Sequence, residues 1–227
     1  MKLLLIVFLA LLGLAAINPP EDQYENPLVL RCKFIKSKPD IDGGIEEDTW
    51  LAAERASGFW RLNAKGKAIE QTEVMAAYDS ENLYFAFFCQ DKRPYAMRQN
   101  ITTHDGPIWR DDCVEVYMDV NHDHKTYYHL ITNTLGTKYD AIGYAGFLEW
   151  NPNWQVATSV VKKGWIVELA IPFAEMGIPA PQPGERWGFN LNRQRYSRML
   201  ERSSWAETLE HFHEPKVFGH LQFMPFF

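Results

Sequence analysis

The sequence predicts an all-β protein, an antiparallel β-sandwich of the immunoglobulin or jelly-roll kind with one or two short helical turns. About ten short segments are rich in β-branched and aromatic residues, as strands are. Turn-forming residues separate these segments along the chain after residue 27. The clearest segment, residues 113–120, alternates between apolar and polar side chains, which is the pattern of a strand. Many short strands with turns between them indicate a sandwich or barrel.

The composition is that of a folded, acidic protein. The chain has 227 residues, with 23 Lys and Arg against 29 Asp and Glu, and a formal net charge of -6. Hydrophobic residues make up 46% and aromatic residues 14%, which is enough for a sizeable core and excludes disorder of the whole chain. The shortage of basic residues argues against nucleic acid as a partner, because phosphates need Lys and Arg for neutralisation.

The N-terminal region has the features of an export signal followed by a linker. One positive charge precedes an apolar run, residues 3–16, that is too short and wrongly flanked for a membrane-spanning helix. We therefore predict a signal peptide at residues 1–16, cleaved near residues 15–18, and a secreted or periplasmic protein without stable membrane insertion. An uncleaved anchor is the alternative. Residues 17–27 are a Pro-rich acidic linker, and residues 28–227 are predicted to form one domain.

The first half of this domain predicts three strands and a short helical segment. Residues 28–35 alternate as a strand, and residues 45–53 are predicted to make one or two helical turns that bury Trp50. Residues 74–78 and 83–89 are two strands joined by a four-residue hairpin loop. The second of these is apolar on both faces, which is typical of a central strand.

The second half of the domain predicts the remaining strands. They are predicted at residues 113–120, 126–133, 136–144, 154–161, 165–171, 187–196, 203–206 and 217–223. One helical turn is predicted at residues 172–176.

The cysteine content allows a disulfide bond without requiring one. The three cysteines, Cys32, Cys89 and Cys113, permit one bridge in an oxidising compartment, and the sequence leaves the pairing open. No Cys-x-x-Cys or Cys/His spacing typical of structural zinc occurs.

Trp109 and Glu115 are the first candidate binding residues. Trp109 lies in a polar loop, residues 104–112, which leads directly into the strand that carries Glu115. An indole beside a carboxylate offers a flat apolar surface next to a hydrogen-bond acceptor. Sugars need that pair, because their C–H faces stack on rings while their hydroxyls need polar partners. The alternative is an indole that packs over the end of the sandwich.

The acidic residues around Glu115 do not predict a catalytic pair. A glycosidase needs two carboxyl groups on either side of the scissile bond, about 5–9.5 Å apart. Asp111 and Asp112 are adjacent, so their side chains diverge. Glu115 and Asp119 lie about 13 Å apart along one strand face. We therefore predict that the protein is not an enzyme.

Asp119, Asn121 and Asp123 are candidate calcium ligands. They place three side-chain oxygens at alternate positions of a turn, as at the start of a calcium-binding loop. His124 and Leu130 then stand where an EF-hand needs Gly and Glu, so the segment is not an EF-hand. A structural calcium ion completed by more distant residues and a hairpin turn that favours Asn and Asp are the two interpretations.

Two His-x-His pairs offer ligands for another class of metal. His122 with His124, and His211 with His213, would share a face on a strand and chelate an ion there. Both segments are polar and turn-like, which favours solvated histidines.

A series of short motifs runs through the domain from residue 40 to residue 223. They are Ile41-Asp42-Gly43, Thr49-Trp50, residues 71–74, Tyr78-Asp79, residues 82–84, residues 109–116, residues 164–172, Pro183-Gly184, residues 187–190, Ser204-Trp205 and residues 218–221. The order and spacing of these motifs resemble the family 9 carbohydrate-binding module, which belongs to the DOMON-like β-sandwich superfamily.

The resemblance implies a DOMON-type sandwich that binds sugar without catalysis, often with structural calcium and with no organic cofactor. Members hold the terminal sugar of a glucan or xylan chain between two aromatic side chains, which here fall on Trp109 and Phe212. The ligand-binding carboxylate falls on Glu115, and a polar position on a late strand falls on Asn192. Phe212 is smaller than the usual Trp, and Ile131 stands where a basic residue is expected.

The resemblance therefore predicts an exported domain that clasps a terminal sugar of a plant-type polysaccharide or oligosaccharide. It would serve carbohydrate catabolism, with a separately encoded glycoside hydrolase as a partner. Two alternatives stay open. The same sandwich serves elsewhere as a haem-binding electron-transfer module, which needs an axial His or Met pair, and here His129 and the methionines are candidates. The other is a partner-binding sandwich that has lost its sugar site.

Overall fold

The computed structural model describes residues 28–63, 66–143 and 150–226, and this part of the chain is nearly all β, as predicted. Its strands are β1 (Val29–Phe34), β2 (Arg55–Ala56), β3 (Trp60–Arg61), β4 (Thr72–Tyr78), β5 (Asn82–Gln90), β6 (Cys113–Asp119), β7 (Tyr128–Asn133), β8 (Lys138–Ile142), β9 (Gln155–Val161), β10 (Gly164–Pro172), β11 (Arg186–Arg195), β12 (Glu201–Ser204) and β13 (Gly219–Met224). The helical segments are α1 (Asp48–Leu51) and 3-10 turns at Pro94–Ala96, Ile108–Arg110, Phe173–Met176 and Pro215–Val217.

The strands belong to one hydrogen-bonded sheet that curls into a sandwich. Its main path runs β8-β7-β6-β11-β13-β1-β4-β5-β10-β9, and β2, β3 and β12 attach beside it. The two halves of the path face each other, because the ring of Phe85 in β5 stacks on that of Phe189 in β11 with centroids 5.4 Å apart. Large side chains fill the space between the halves, among them Trp165, Trp187 and Phe223, which are almost entirely buried.

β1 departs from the antiparallel prediction. It pairs in parallel with β13 over residues 29–33, and then in parallel with β4 at Lys33 and Phe34. The other paired strands in the described residues are antiparallel. β1 thus joins the two halves of the sheet. Its alternating residues predict a strand but carry no information about the direction of a neighbour, so a parallel pairing does not follow from the sequence.

The predicted strands otherwise lie within two residues of the observed ones. The helical turn predicted at residues 172–176 is the 3-10 turn Phe173–Met176. β2 and β3 are absent from the prediction, because two residues are too few to show an alternation.

Trp50 is buried, as predicted, and anchors α1 to the sandwich. Its side chain is 0% exposed, and Nε1 donates a hydrogen bond of 2.7 Å to Glu168 in β10. The same carboxylate accepts hydrogen bonds from the backbone N–H groups of Asp42 and Gly43. Gly43 has a φ of +89°, a conformation that favours glycine, so this residue type is required in the turn.

The three cysteines, all of which the structure describes, are free and buried. Burial raises the pKa of the Cys89 thiol to about 11, and it raises the pKa values of Cys32 and Cys113 well above the ordinary value. These side chains therefore act as apolar core residues and not as a crosslink.

The predicted signal peptide (residues 1–16) and linker (residues 17–27) lie outside the described residues. Within the described ranges, the structure contains no helix with the length and apolar character needed to cross a bilayer.

Candidate functional site

A pocket of about 370 Å³ opens on the face of β6, β7 and β11 that points away from the sandwich core. Strand alternation explains its position, because Val114 and Val116 of β6 point into the core whereas Glu115 and Tyr117 line the pocket. The residues that line it are Leu62, Trp109, Glu115, Tyr117, His129, Ile131, Tyr139, Gln194, Arg202, His211, Phe212 and His213.

Trp109 projects from the Ile108–Arg110 turn at this pocket. It is 40% exposed, and its ring meets that of Tyr139 edge-on, with centroids 5.7 Å apart. Its backbone oxygen accepts a hydrogen bond of 3.0 Å from the Tyr196 hydroxyl. The indole is thus held at its base and stays accessible to a ligand, which favours the binding interpretation over an indole packed on the end of the sandwich.

Two buried aspartates fix the loop that carries Trp109. Asp111 Oδ2 accepts hydrogen bonds of 2.9 and 2.8 Å from the backbone N–H groups of Asn100 and Ile101. The Asp112 carboxylate accepts two further backbone hydrogen bonds. Neither aspartate lines the pocket, so Glu115 is the one carboxylate among the described lining residues, and the pocket holds no carboxyl pair.

Glu115 is buried, with 2% exposure, and accepts three hydrogen bonds. Oε2 accepts from the Tyr117 hydroxyl at 2.8 Å and from His129 Nε2 at 2.9 Å, and Oε1 accepts from Gln194 Nε2 at 2.8 Å. Burial acts to raise the pKa of this carboxyl, but these hydrogen bonds and the charge of His129 outweigh it, so the pKa is lowered. Glu115 is therefore an anion at neutral pH in spite of its burial.

A hydrogen-bonded chain connects Glu115 to the loop that carries His213. The Tyr117 hydroxyl lies 3.4 Å from His213 Nε2, and the Tyr127 hydroxyl lies 2.8 Å from His213 Nδ1. Since Tyr117 donates its own proton to Glu115, it accepts from Nε2, while Nδ1 accepts from Tyr127. This arrangement needs a neutral imidazole. Burial, together with the charge of His129, lowers the pKa of His213 to about 4.

Phe212 lines the pocket and is itself part of a small core. It is 5% exposed and packs with Leu62, Tyr117, Tyr127 and Phe218. The second predicted aromatic residue is therefore present at the pocket, and its ring is also required for packing.

Asn192 does not line the pocket. It is the register partner of Glu115 between β11 and β6, and Gln194, two residues further along the same face, bonds Glu115 in its place. The Asn192 side chain is 0% exposed, and neither atom of its amide has a hydrogen-bond partner. The structure thus brings Trp109, Glu115 and Phe212 to one pocket and places Asn192 next to it.

Further lining residues are missing from the predicted sugar site. Among them are His129, Tyr139, Gln194 and Arg202. Strand periodicity offers a signal for two of them, because His129 shares a face with Ile131, and Gln194 shares a face with Asn192. Tyr139 lies opposite Ile131 on β8, and that pairing is not visible in a single sequence.

The predicted calcium ligands form a hydrogen-bonded turn. The two Asp119 oxygens accept from the backbone N–H groups of Asp123 and His124. The Asp123 carboxylate accepts four hydrogen bonds, from Asn121 Nδ2 and from groups of residues 125–126. Because a carboxylate has about four acceptor positions, Asp123 has none left for a cation in this arrangement. A calcium ion would have to replace some of these bonds, and the calcium site remains a prediction.

The geometry of the pocket does not support the haem alternative. His129 Nε2 is bonded to Glu115, and none of the described lining residues is a methionine. Toward the axial His or Met pair that this alternative needs, the described lining residues thus offer histidines alone, and His129 is already bonded to Glu115.

The fold class and the aromatic pocket place the protein among the non-catalytic carbohydrate-binding modules. Within that class, the chain belongs to the carbohydrate family 9 binding domain-like family, whose profile matches residues 41–224. This match confirms the resemblance to the family. The prediction that the protein is a binding module and not an enzyme rests on that resemblance.

Two curated relatives share part of this chain. Endo-1,4-beta-xylanase A of Thermoanaerobacterium saccharolyticum is 29% identical over 158 residues, which are 69% of this chain and 12% of that protein. Exoglucanase XynX of Acetivibrio thermocellus is 28% identical over 143 residues, which are 63% of this chain and 12% of that protein. The chain therefore corresponds to a small part of these relatives.

Solved structures confirm the fold. A family 9 carbohydrate-binding module from Caldicellulosiruptor kristjanssonii in complex with cellotriose is similar with a TM-score of 0.61 and 18% identity, over 87% of this chain and 94% of that one. The same module in complex with glucose also has a TM-score of 0.61, at 18% identity over 86% and 96% of the two chains. A Bacteroides uniformis protein has a TM-score of 0.69 at 17% identity, over 86% of this chain and 98% of that one.

Proposed function

We propose that this domain binds the terminal sugar of a plant-type polysaccharide or oligosaccharide, with Trp109 and Phe212 on its two faces and Glu115 as a hydrogen-bond acceptor. The observation that carries the proposal is the pocket itself, which combines an accessible indole with a buried, ionised carboxylate. Sugars present apolar C–H faces and polar hydroxyl edges, and this combination matches both.

Glu115 has room for one sugar hydroxyl. Each oxygen of a carboxylate offers about two acceptor positions. Oε2 accepts from Tyr117 and His129, whereas Oε1 accepts from Gln194 alone. A hydroxyl that donates to the remaining position of Oε1 forms a charge-assisted bond, which contributes about 1.5–3 kcal/mol. The amide of Asn192, the register neighbour of Glu115, has no hydrogen-bond partner but is fully buried, so the proposal assigns it no direct contact with the sugar.

The size of the pocket favours a chain end over a long stretch of polysaccharide. Its volume of about 370 Å³ is at the lower end of the range of about 300–1,000 Å³ for ligand pockets. A space at this end of the range suits the end of a chain better than a long stretch of it. Cello-oligosaccharides are the first ligands to test, because two structural neighbours are complexes with cellotriose and glucose.

The proposal includes export and a role in carbohydrate catabolism. The apolar run at residues 3–16 has the features of a signal peptide, which supports export. Export also fits the proposed ligand, because polymeric sugars lie outside the cell. Two relatives carry the names of a xylanase and an exoglucanase, which supports a glycoside hydrolase as a partner.

The proposal is tested by titrating glucose, cello-oligosaccharides and xylo-oligosaccharides into the purified full chain. Intrinsic tryptophan fluorescence reports binding, because Trp109 lies at the pocket. A fluorescence change that saturates as one of these sugars is added supports the proposal. The proposal is contradicted if none of the sugars changes the fluorescence. A Soret band in the absorption spectrum of the native protein would favour the haem-binding alternative instead.

A further inference from the structure

His104, Asp105 and Asp140 form a compact cluster near the pocket but outside its lining. Ligand atoms of the three side chains all lie within 4.8 Å of one another. His104 Nδ1 is 3.1 Å from Asp105 Oδ2, and His104 Nε2 is 3.3 Å from Asp140 Oδ1. Within the described residues, no other group of three His, Cys, Asp or Glu side chains meets this distance.

Asp140 is the buried member of the cluster, with 1% exposure. Its Oδ1 accepts a hydrogen bond of 3.0 Å from Trp154 Nε1 and also faces His104, whereas its Oδ2 is buried without any hydrogen-bond partner. A buried carboxylate oxygen without a partner is costly, because its lost hydration is not replaced. Burial accordingly raises the pKa of Asp140. A cation bound by this carboxylate would supply the missing interaction.

The backbone holds the cluster together without a ligand. Asp105 N donates to Lys138 O at 3.0 Å, and Asp140 N lies 3.4 Å from Asp105 Oδ1. The turn from Thr103 to Gly106, which carries His104 and Asp105, is tight, because a Cβ on Gly106 would lie 2.8 Å from the backbone oxygen of Thr103. The backbone of this loop and of β8 therefore brings the three side chains together, without dependence on flexible surface contacts.

We propose that His104, Asp105 and Asp140 bind a divalent transition-metal ion of the zinc type. One imidazole nitrogen and two carboxylate oxygens suit Zn²⁺ and its neighbours, whereas Ca²⁺ takes oxygen ligands. Ligands about 2.1 Å from such an ion are about 3.0–3.4 Å from each other, and the distance from His104 Nε2 to Asp140 Oδ1 is 3.3 Å. Asp105 contacts the other ring nitrogen, Nδ1, so an ion that takes one nitrogen replaces one of these two contacts, and the three ligand atoms, which lie within 4.8 Å of one another, close in on it. Water completes the coordination, since the side chain of His104 is 46% exposed.

The ion connects the loop before Trp109 to β8. Trp109 follows Asp105 by four residues, Tyr139 directly precedes Asp140, and the two aromatic rings are in edge-on contact. Metal binding thus fixes the relative position of two aromatic side chains of the pocket. This consequence rests on the proposed function, whereas the metal site itself does not.

The experiment uses the full chain after removal of metals with EDTA and dialysis. ZnCl₂, MnCl₂ or CaCl₂ is added, binding is measured by calorimetry, and the melting temperature (Tm) by differential scanning fluorimetry. We expect Zn²⁺ at about 100 times its Kd to raise the Tm by about 5–10 °C, because an ion that binds only the folded state stabilises it by mass action. Any effect of CaCl₂ should be the same in the wild type and in His104→Gln.

Matched variants locate the ion. His104→Gln and Asp105→Asn should remove the Zn²⁺-dependent rise in Tm. Both side chains are partly exposed, so neither substitution disturbs the buried core. His122→Gln is the control, since the rings of His122 and His124 lie 4.7 Å apart and offer a competing pair. The proposal is overturned if His122→Gln removes the effect while His104→Gln keeps it. It is also overturned if Zn²⁺ gives neither heat of binding nor a change in Tm, since the cluster is then only an ion pair.

Discussion

His129 Nε2 in β7 donates a hydrogen bond of 2.9 Å to Glu115 Oε2 in β6, although His129 is not the residue directly opposite Glu115. That position belongs to Ile131, where the family resemblance leads one to expect a basic residue. His129 shares the face of Ile131 and reaches Glu115 diagonally across the two strands. The residue of β7 that bonds the carboxylate therefore stands two positions from Ile131 along the same strand face.

Glu115→Gln should lower both stability and sugar affinity. Three donors surround the carboxylate, so the new amide NH₂ must face at least one of them, and a charge-assisted bond is lost. We expect a loss of about 1.5–3 kcal/mol in the free energy of unfolding, or about 3–10 °C in Tm. The control is Glu207→Gln at an exposed position. An unchanged Tm in Glu115→Gln would show that the network contributes nothing to folding.

Acidification from pH 7 to pH 4 should lower the Tm through His213. Its pKa is lowered from 6.5 to about 4 in the folded chain. Between these values the unfolded chain binds a proton on this imidazole that the folded chain does not bind, so stability falls as the pH falls. Below pH 4 this contribution no longer changes, and the lowered pKa of Glu115 removes further stability as that carboxylate is protonated.

The groups that face His213 are Tyr117, Tyr127, His129, Glu115 and His211. A plot of Tm against pH for His213→Gln should be flatter between pH 6.5 and pH 4 than that of the wild type. His211→Gln is the control, because the side chain of His211 is 47% exposed. Parallel curves for the wild type and His213→Gln would contradict the prediction.

Phe212→Ala should destabilise the domain as well as weaken sugar binding. Its ring is 5% exposed and packs against a cluster that contains Tyr117 and Phe218. Removal of a buried phenylalanine ring costs about 3–5 kcal/mol. Phe226→Ala is the matched control, since Phe226 is 53% exposed. Chemical denaturation measures both variants, and equal free energies of unfolding would place Phe212 outside the core.

The calcium prediction is tested by melting the protein with EDTA and with added calcium. An ion held by Asp119 and Asp123 stabilises the folded state by mass action, so EDTA should lower the Tm and calcium should restore it. Coinciding melts would show that the hydrogen bonds of the turn are sufficient.

The sequence predicts the elements of this fold well because each depends on local patterns. The alternation in residues 113–120 and the hairpin signal between β4 and β5 are properties of neighbouring residues. The direction of β1 is not local, because it depends on β4 and β13, which follow far along the chain. The all-β sandwich is therefore predictable, and its parallel junction is not.

The same distinction applies to the site. Trp109 and Glu115 are six residues apart, so one loop and the strand after it are enough to predict that they lie at one pocket. His129 and Tyr139 reach the pocket through pairing with β6 and β7, which depends on strand order. The resemblance locates Phe212 at the pocket, but it carries no information about its burial against Tyr117 and Phe218.

The most direct test of sugar binding at this pocket is a calorimetric titration of cellotriose into the wild type, Trp109→Ala and the control Tyr95→Ala, which changes an aromatic residue that is 83% exposed. We expect Trp109→Ala to raise the Kd at least about 30-fold, since buried aromatic anchors contribute about 2 kcal/mol or more. Its Tm should stay close to that of the wild type, and Tyr95→Ala should change neither quantity. An unchanged Kd together with a sharply lower Tm in Trp109→Ala would show that the indole is a core residue and that sugar does not bind in this pocket.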